Sequence, residues 1–208
     1  MRGGREKKII LTGFEPFGGM AVNPSWEGVR LVPDHIGSGA SGGARIIKLR
    51  LPVVFGKAYE ILENCMNETC PDGVILTGLA GGRQDVTPEV IAVNVMDARI
   101  ADNSGFKPQW ERIDPAGPDG LFSTLPNLEL IGAVNDAGIS ASLSFSAGTF
   151  VCNDLFYRTM AGIAKKGLSA PFPAGFIHVP DMEPARIAKT LKTCLNALSE
   201  YIDRMNNI

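Results

Sequence analysis

Histidine is nearly missing from this 208-residue chain, which has only His35 and His178. Cysteine is scarce too, and Cys65, Cys70, Cys152 and Cys194 contain no Cys-x-x-Cys pair. That excludes the common zinc spacings and leaves only a site built largely on carboxylates, so no metal is expected. No apolar run approaches the roughly 20 residues needed to cross a bilayer, and no membrane association is expected. Neither sign of charge dominates: 20 basic residues face 22 acidic ones, for a formal charge of -2. A broad basic surface for nucleic acid is therefore excluded. Residues 1–8 are charged and read as a flexible leader, and Ile9-Ile10-Leu11 after them is too short for a signal-peptide core. A cytoplasmic location is expected, and no internal repeat is present.

The remaining sequence alternates short apolar runs with helical periodicity. Its length suits one domain, residues 1–208, able to bury a core without disulfides or metals. Strands are expected at Lys7–Thr12, Arg45–Leu51, Asp72–Leu79, Val90–Val95, Ile139–Phe145 and Gly175–Val179. Helices are expected from Asn23-Pro24 to about Leu31, with Asn as N-cap and Pro at the first position, and over Val54–Asn67, Asn127–Asp136, Val151–Lys166 and Pro184–Arg204. Gly37–Gly43 reads as a flexible surface loop, and Asp97–Gly120 as a long functional or surface excursion. Buried strands alternating with helices predict an α/β fold: a three-layer open sandwich with a central, largely parallel twisted sheet and helices on both faces.

The stretch Ser144–Tyr157 carries the first chemical signal. Small residues from Ser146 to Thr149 separate an apolar run from a helical one, placing Cys152 in the first turn of a helix. Free backbone N–H groups and the helix dipole there favour a thiolate and offer donors to an oxyanion. An unpaired cysteine is more often a small buried hydrophobe, and Cys65 and Cys194, on apolar helix faces, are read that way. A nucleophilic cysteine needs an imidazole. His178 closes the last apolar strand, at the sheet edge where α/β proteins place ligands, whereas His35 lies in a solvated loop. A third group must orient the ring, and Asp85, Glu89, Asp97, Asp102, Asp154 and Asp181 all qualify by position. Gly78-Leu79-Ala80-Gly81-Gly82-Arg83 lacks the dinucleotide spacing and suits close approach of backbone to a small ligand.

Several blocks in register carry a family resemblance. They are Leu11–Gly19 (Leu-Thr-Gly-Phe-Glu-Pro-Phe-Gly-Gly), Asn23–Trp26, Ala80–Arg83 with Thr87-Pro88-Glu89, Asp97–Ile100 with Asp102-Asn103, Ala147–Asn153, and Phe176–Pro180. In this order the chain resembles the type I pyroglutamyl peptidases, also called pyrrolidone-carboxylate peptidases, which are cysteine exopeptidases. The resemblance implies Cys152 as nucleophile, His178 as its base, Glu89 as the orienting carboxylate and Arg99 as an oxyanion partner. It implies that Phe14 and Phe17 sandwich a flat lactam ring, with Leu79, Phe150 and Val151 lining the rest of the pocket. It implies no cofactor, peptides with N-terminal pyroglutamate as substrates, and self-association into a dimer or tetramer. Two departures stand out: Leu79 occupies a position where the family usually has Gln, and Val90 follows Glu89 where Arg is common. The chain also ends soon after its terminal helix, whereas some members carry a longer tail. Two other readings keep the fold: a lactam-binding protein that has lost catalysis, motivated by Leu79, and a related amidase or nucleoside-processing enzyme.

Overall fold

The computed structural model of the protein describes residues 6–37, 43–165 and 172–207. Its chain order is β1 (Lys7–Phe14), α1 (Pro24–Leu31), β2 (His35–Ile36), β3 (Ala44–Leu51), α2 (Lys57–Thr69), β4 (Gly73–Leu79), β5 (Thr87–Pro88), β6 (Ile91–Val93), β7 (Gly120–Phe122), α3 (Asn127–Asp136), α4 (Val151–Lys165), β8 (Ala174–Val179) and α5 (Pro184–Asn206). Six strands form one sheet in the order β2-β3-β1-β4-β8-β5. The inner four pair in parallel, while the short edges β2 and β5 run antiparallel.

Strand alternation sorts side chains between two cores. Ile9 and Leu11 of β1, Ile75 of β4, and Ile177 and Val179 of β8 pack with residues of α1, α3 and α5. Ile10 and Phe14, Val74 and Leu76, and Phe176 pack instead with α2 and α4. Helices thus cover both faces of a mostly parallel sheet, giving the three-layer α/β sandwich expected from the sequence. The α1 N-cap also stands as expected, with Asn23 Oδ1 accepting from Ser25 N at 3.0 Å. At the amino end of the sheet, Lys7 Nζ pairs with Asp203 and donates to Ser199 O of α5 at 3.2 Å. No helix among the described residues is long and apolar enough to cross a membrane.

Several boundaries differ from the sequence reading. β1 begins at Lys7, so Lys7 and Lys8 belong to the sheet and not to a leader. Residues 1–5, residues 38–42 of the Gly37–Gly43 segment, and the proposed helix end at Lys166 lie outside the described residues. α2 starts at Lys57 and not Val54, because Gly56 turns the chain at φ 69°. The strand expected over Val90–Val95 is limited to Ile91–Val93. Ile139–Phe145 forms no strand of its own and makes only isolated parallel bridges, Ala141 to Val86 and Ser144 to Glu89.

Candidate active site

The carboxyl ends of β4 and β8 meet the amino end of α4. Parallel register puts Gly78 opposite His178. The alternation that sends Ile177 and Val179 to the α5 side turns Phe176 and His178 toward α4. Cys152 is the second residue of that helix. A Cβ on Gly78 would fall 2.9 Å from Cys152 Sγ and 2.8 Å from Phe176 Cζ. The thiol therefore occupies space that only glycine leaves open, beside the strand position opposite His178. Phe176 supports the imidazole from below, with ring centroids 4.6 Å apart.

Behind His178, Nδ1 lies 2.7 Å from Glu89 Oε1. A carboxylate can only accept, so Nδ1 carries the hydrogen and Nε2 is left free to take a proton. Of the six carboxylates open to sequence reasoning, Glu89 is the one bound to His178. Asp85 accepts from Ser142 Oγ, Asp102 from Phe55 N, and Asp154 from Gly56 N and Arg158 Nε. Glu89 is fully buried and follows β5, whose Thr87 is in register with His178. Its N–H donates to Phe176 O at 2.8 Å.

Arg83 is the participant sequence reasoning did not foresee. Its Nη1 donates to Glu89 Oε1 at 2.6 Å and also to the Thr87 hydroxyl, while Nη2 donates to Ser146 O at 2.8 Å. Arg83 stood inside a recognised block, and an arginine four residues before Thr87 and six before Glu89 was the available signal. Glu89 Oε2 is buried without a hydrogen-bond partner. The Ser144 hydroxyl is within electrostatic reach of the carboxylate but donates instead to Ser146 O at 3.3 Å.

Burial controls the protonation states. It would raise the Glu89 carboxyl, but the His178 hydrogen bond, aided by the dipole of the nearby Ser144 hydroxyl and by the Arg83 guanidinium, holds it below the ordinary value. Burial lowers the His178 imidazole, and the Glu89 bond offsets this only in part. Burial, followed by the Glu89 charge, pushes the Cys152 thiol up to about 12, against the pull of Arg83. Burial thus opposes the thiolate that the helix start favours, and it disfavours the charged form of both groups.

The remaining candidates surround this centre unevenly. Phe14 ends β1, buried, and stacks on Phe176 at 6.5 Å. Phe17 is half-buried and tilts against Phe150 at 6.1 Å, and Phe150 meets Phe55 edge-on at 5.4 Å. Phe14 and Phe17 thus each pair with a different ring. Val151 is fully buried in the α2/α4 core, so its side chain serves packing, while Leu79 is half-buried at the end of β4. Arg99 is exposed, at the surface beside the approach to α4. Its segment is tied to the turn before Cys152, with Asp97 N donating to Thr149 O at 3.1 Å and Thr149 Oγ1 to Asp97 O at 2.7 Å. Asn103 Nδ2 donates to Pro16 O, between the two phenylalanines, at 2.9 Å. Among the described residues, no group of three or more His, Cys, Asp or Glu could hold a metal.

A thiol at a helix start, beside the strand position opposite a carboxylate-bound imidazole, suits acyl transfer through a thioester. Set in this sandwich, it gives the class: a cysteine peptidase. The pyroglutamyl peptidase family model matches residues 7–202. The pyrrolidone-carboxylate peptidase of Thermococcus onnurineus is 48% identical over 200 residues, 94% of this chain and 96% of that protein. Its counterpart in Bacillus velezensis is 40% identical over 185 residues, 89% and 83% of the two chains. The crystal structure of Bacillus amyloliquefaciens pyroglutamyl peptidase I superposes with a TM-score of 0.87 at 38% identity, covering 95% of this chain and 98% of that one. A variant pyrrolidone carboxyl peptidase of Pyrococcus furiosus gives a TM-score of 0.85 at 37% identity, covering 93% and 98%. The chain belongs to the pyroglutamyl peptidase family.

Proposed function

We propose that this protein removes an N-terminal pyroglutamyl residue from peptides. The observation that carries the reading is the His178–Glu89 bond of 2.7 Å, with the Cys152 sulfur beside the strand position opposite His178. Substrate carbonyl carbon meets Sγ as Nε2 takes the thiol proton, so the thiolate exists only as the bond forms. Backbone N–H groups at the start of α4, with Arg99 swung in, hold the oxyanion. Imidazolium then protonates the leaving amine, and the acyl group remains as a thioester. A water deprotonated by the same Nε2 releases pyroglutamate and restores the thiol. Glu89 keeps Nδ1–H in place through both halves.

Phe14, Phe17 and Phe150 supply flat apolar walls for the lactam, and the backbone near Leu79 and Val151 supplies partners for its N–H and C=O. Substrates lacking the ring carbonyl leave such partners unpaired and are rejected strongly. With Leu79 in place of Gln, recognition at that position rests on main chain. The test is hydrolysis of a fluorogenic pyroglutamyl amide against the prolyl amide. Turnover of both at similar kcat/KM overturns the lactam assignment, and lactam binding without turnover favours a catalytically silent binder. We also propose self-association, with exposed Trp110, Phe122, Leu128 and Phe145 as apolar surface for a second copy. A single monomeric boundary in sedimentation velocity rejects this. Four free cysteines suit a reducing cytoplasm.

A further inference from the structure

The charged network behind the imidazole extends one residue past the triad, and the role of that residue rests on the peptidase activity proposed for the protein. Glu89 Oε1 serves two donors, His178 Nδ1 at 2.7 Å and Arg83 Nη1 at 2.6 Å, while the buried Oε2 has no partner. Arg83 also reaches the Thr87 hydroxyl on β5, in register with His178, and Ser146 O in the turn leading to Cys152. One guanidinium thus joins the loop after β4, edge strand β5 with Glu89 just beyond it, and the approach to the thiol. We propose that Arg83 is a positioning residue: it locks the Glu89 carboxylate against the turn before Cys152 and balances its charge, so that Glu89 holds His178 Nδ1–H in place with Nε2 turned to the reaction.

The physical need is specific. A dry carboxylate hydrogen-bonded to an imidazole draws a second proton onto the ring, and a standing imidazolium cannot act as a base. A guanidinium stays charged at every working pH and can hold two acceptors at fixed angles, which an ammonium cannot. The charged or titratable groups that act on His178 are Glu89, from the end of β5, and Arg83, from the loop after β4, with the Cys152 thiol on α4 as its reaction partner. Arg83 pulls both the imidazole and the thiol downward.

The experiment compares wild type, Arg83→Gln and Arg83→Lys. It records kcat and kcat/KM on the pyroglutamyl amide from pH 5 to 10, the pH dependence of Cys152 alkylation by iodoacetamide read at the peptide level, and Tm. For Arg83→Gln the acid limb of kcat/KM moves up by about one pH unit, the scale of a nearby charge in a partly solvated site. The alkylation profile shifts in the same direction. Arg83→Lys keeps the limb within a few tenths of a unit of wild type but loses kcat several-fold, because a point charge cannot hold both acceptors. Profiles of Arg83→Gln that superpose on wild type, with only Tm lowered, overturn the proposal and leave a structural ion pair. If wild type does not turn over the pyroglutamyl amide, the substrate assignment falls, while the alkylation profiles still decide the role of Arg83.

Discussion

The sulfur of Cys152, the Cβ-less backbone of Gly78 and the ring of Phe176 share a space with no slack. Cys152→Ser and His178→Ala are each expected to lower kcat by about 10⁴-fold or more, read on the pyroglutamyl amide, because the two act as one unit. Gly78→Ala puts a methyl group within 2.9 Å of Sγ and 2.8 Å of Phe176. It is expected to lose most activity while costing about 1–3 kcal/mol of stability. A Gly78→Ala enzyme of wild-type activity would show that the thiol has room to spare. Cys152 and His178 were legible in the sequence as residue types at structural boundaries, whereas Gly78 was not. The need for a missing methyl group arises only when β4, β8 and α4 converge from distant parts of the chain. Glu89 was singled out among six acids only through the family resemblance, because the register that brings it to His178 is not encoded in local pattern.

Elements with local signals were the readable ones. Asn23-Pro24 opens α1 and Pro184 opens α5, because caps and proline act within a turn of where they stand. The apolar pair Val54-Phe55 reads as the start of a helix. It is instead loop, gripped by distant groups: Asn103 N on Val53 O, Asp102 on Phe55 N and Asp154 on Gly56 N. β5 is two residues long and has no periodicity to detect. The long excursion after β6 contributes a clamp on the pocket loop through Asn103. Asn103→Ala is expected to raise KM for the pyroglutamyl amide by roughly 3- to 10-fold with kcat little changed, the value of one hydrogen bond on a loop that must be pre-set. A fall in kcat with unchanged KM would assign Asn103 to chemistry instead. Where α1 crosses α5, a Cβ on Gly28 would lie 2.2 Å from Ile187 Cγ2. Gly28→Ala is expected to cost about 1–3 kcal/mol, a Tm drop of several degrees by calorimetry, without changing the pH profile of the surviving enzyme.

For the whole molecule, the buried titratable groups set a stability plateau. His178 resists protonation when folded, so stability falls once pH drops below its ordinary 6.5, and Glu89 adds to the loss below 4.5. At the other end, unfolded thiols ionise near 9.0 while Cys152 and Cys194 hold their protons to about 12, so stability declines as pH rises across that interval. Thermal melts are expected to be flat between about pH 6.5 and 9 and to fall on both sides. Cys194→Ala, outside the site, should make the alkaline fall shallower; an unchanged alkaline limb would trace it to other groups. The architecture itself was readable because strands buried on both faces and amphipathic helices alternate along the chain.

Lys7 and Asp203 meet at the amino end of the sheet, while Cys152 and His178 work at its carboxyl edge. A tether attached next to either member of that pair therefore points away from the catalytic edge. Protein anchored there to a bead or sensor chip stands with its reactive rim toward the liquid, whichever of the two positions carries the attachment.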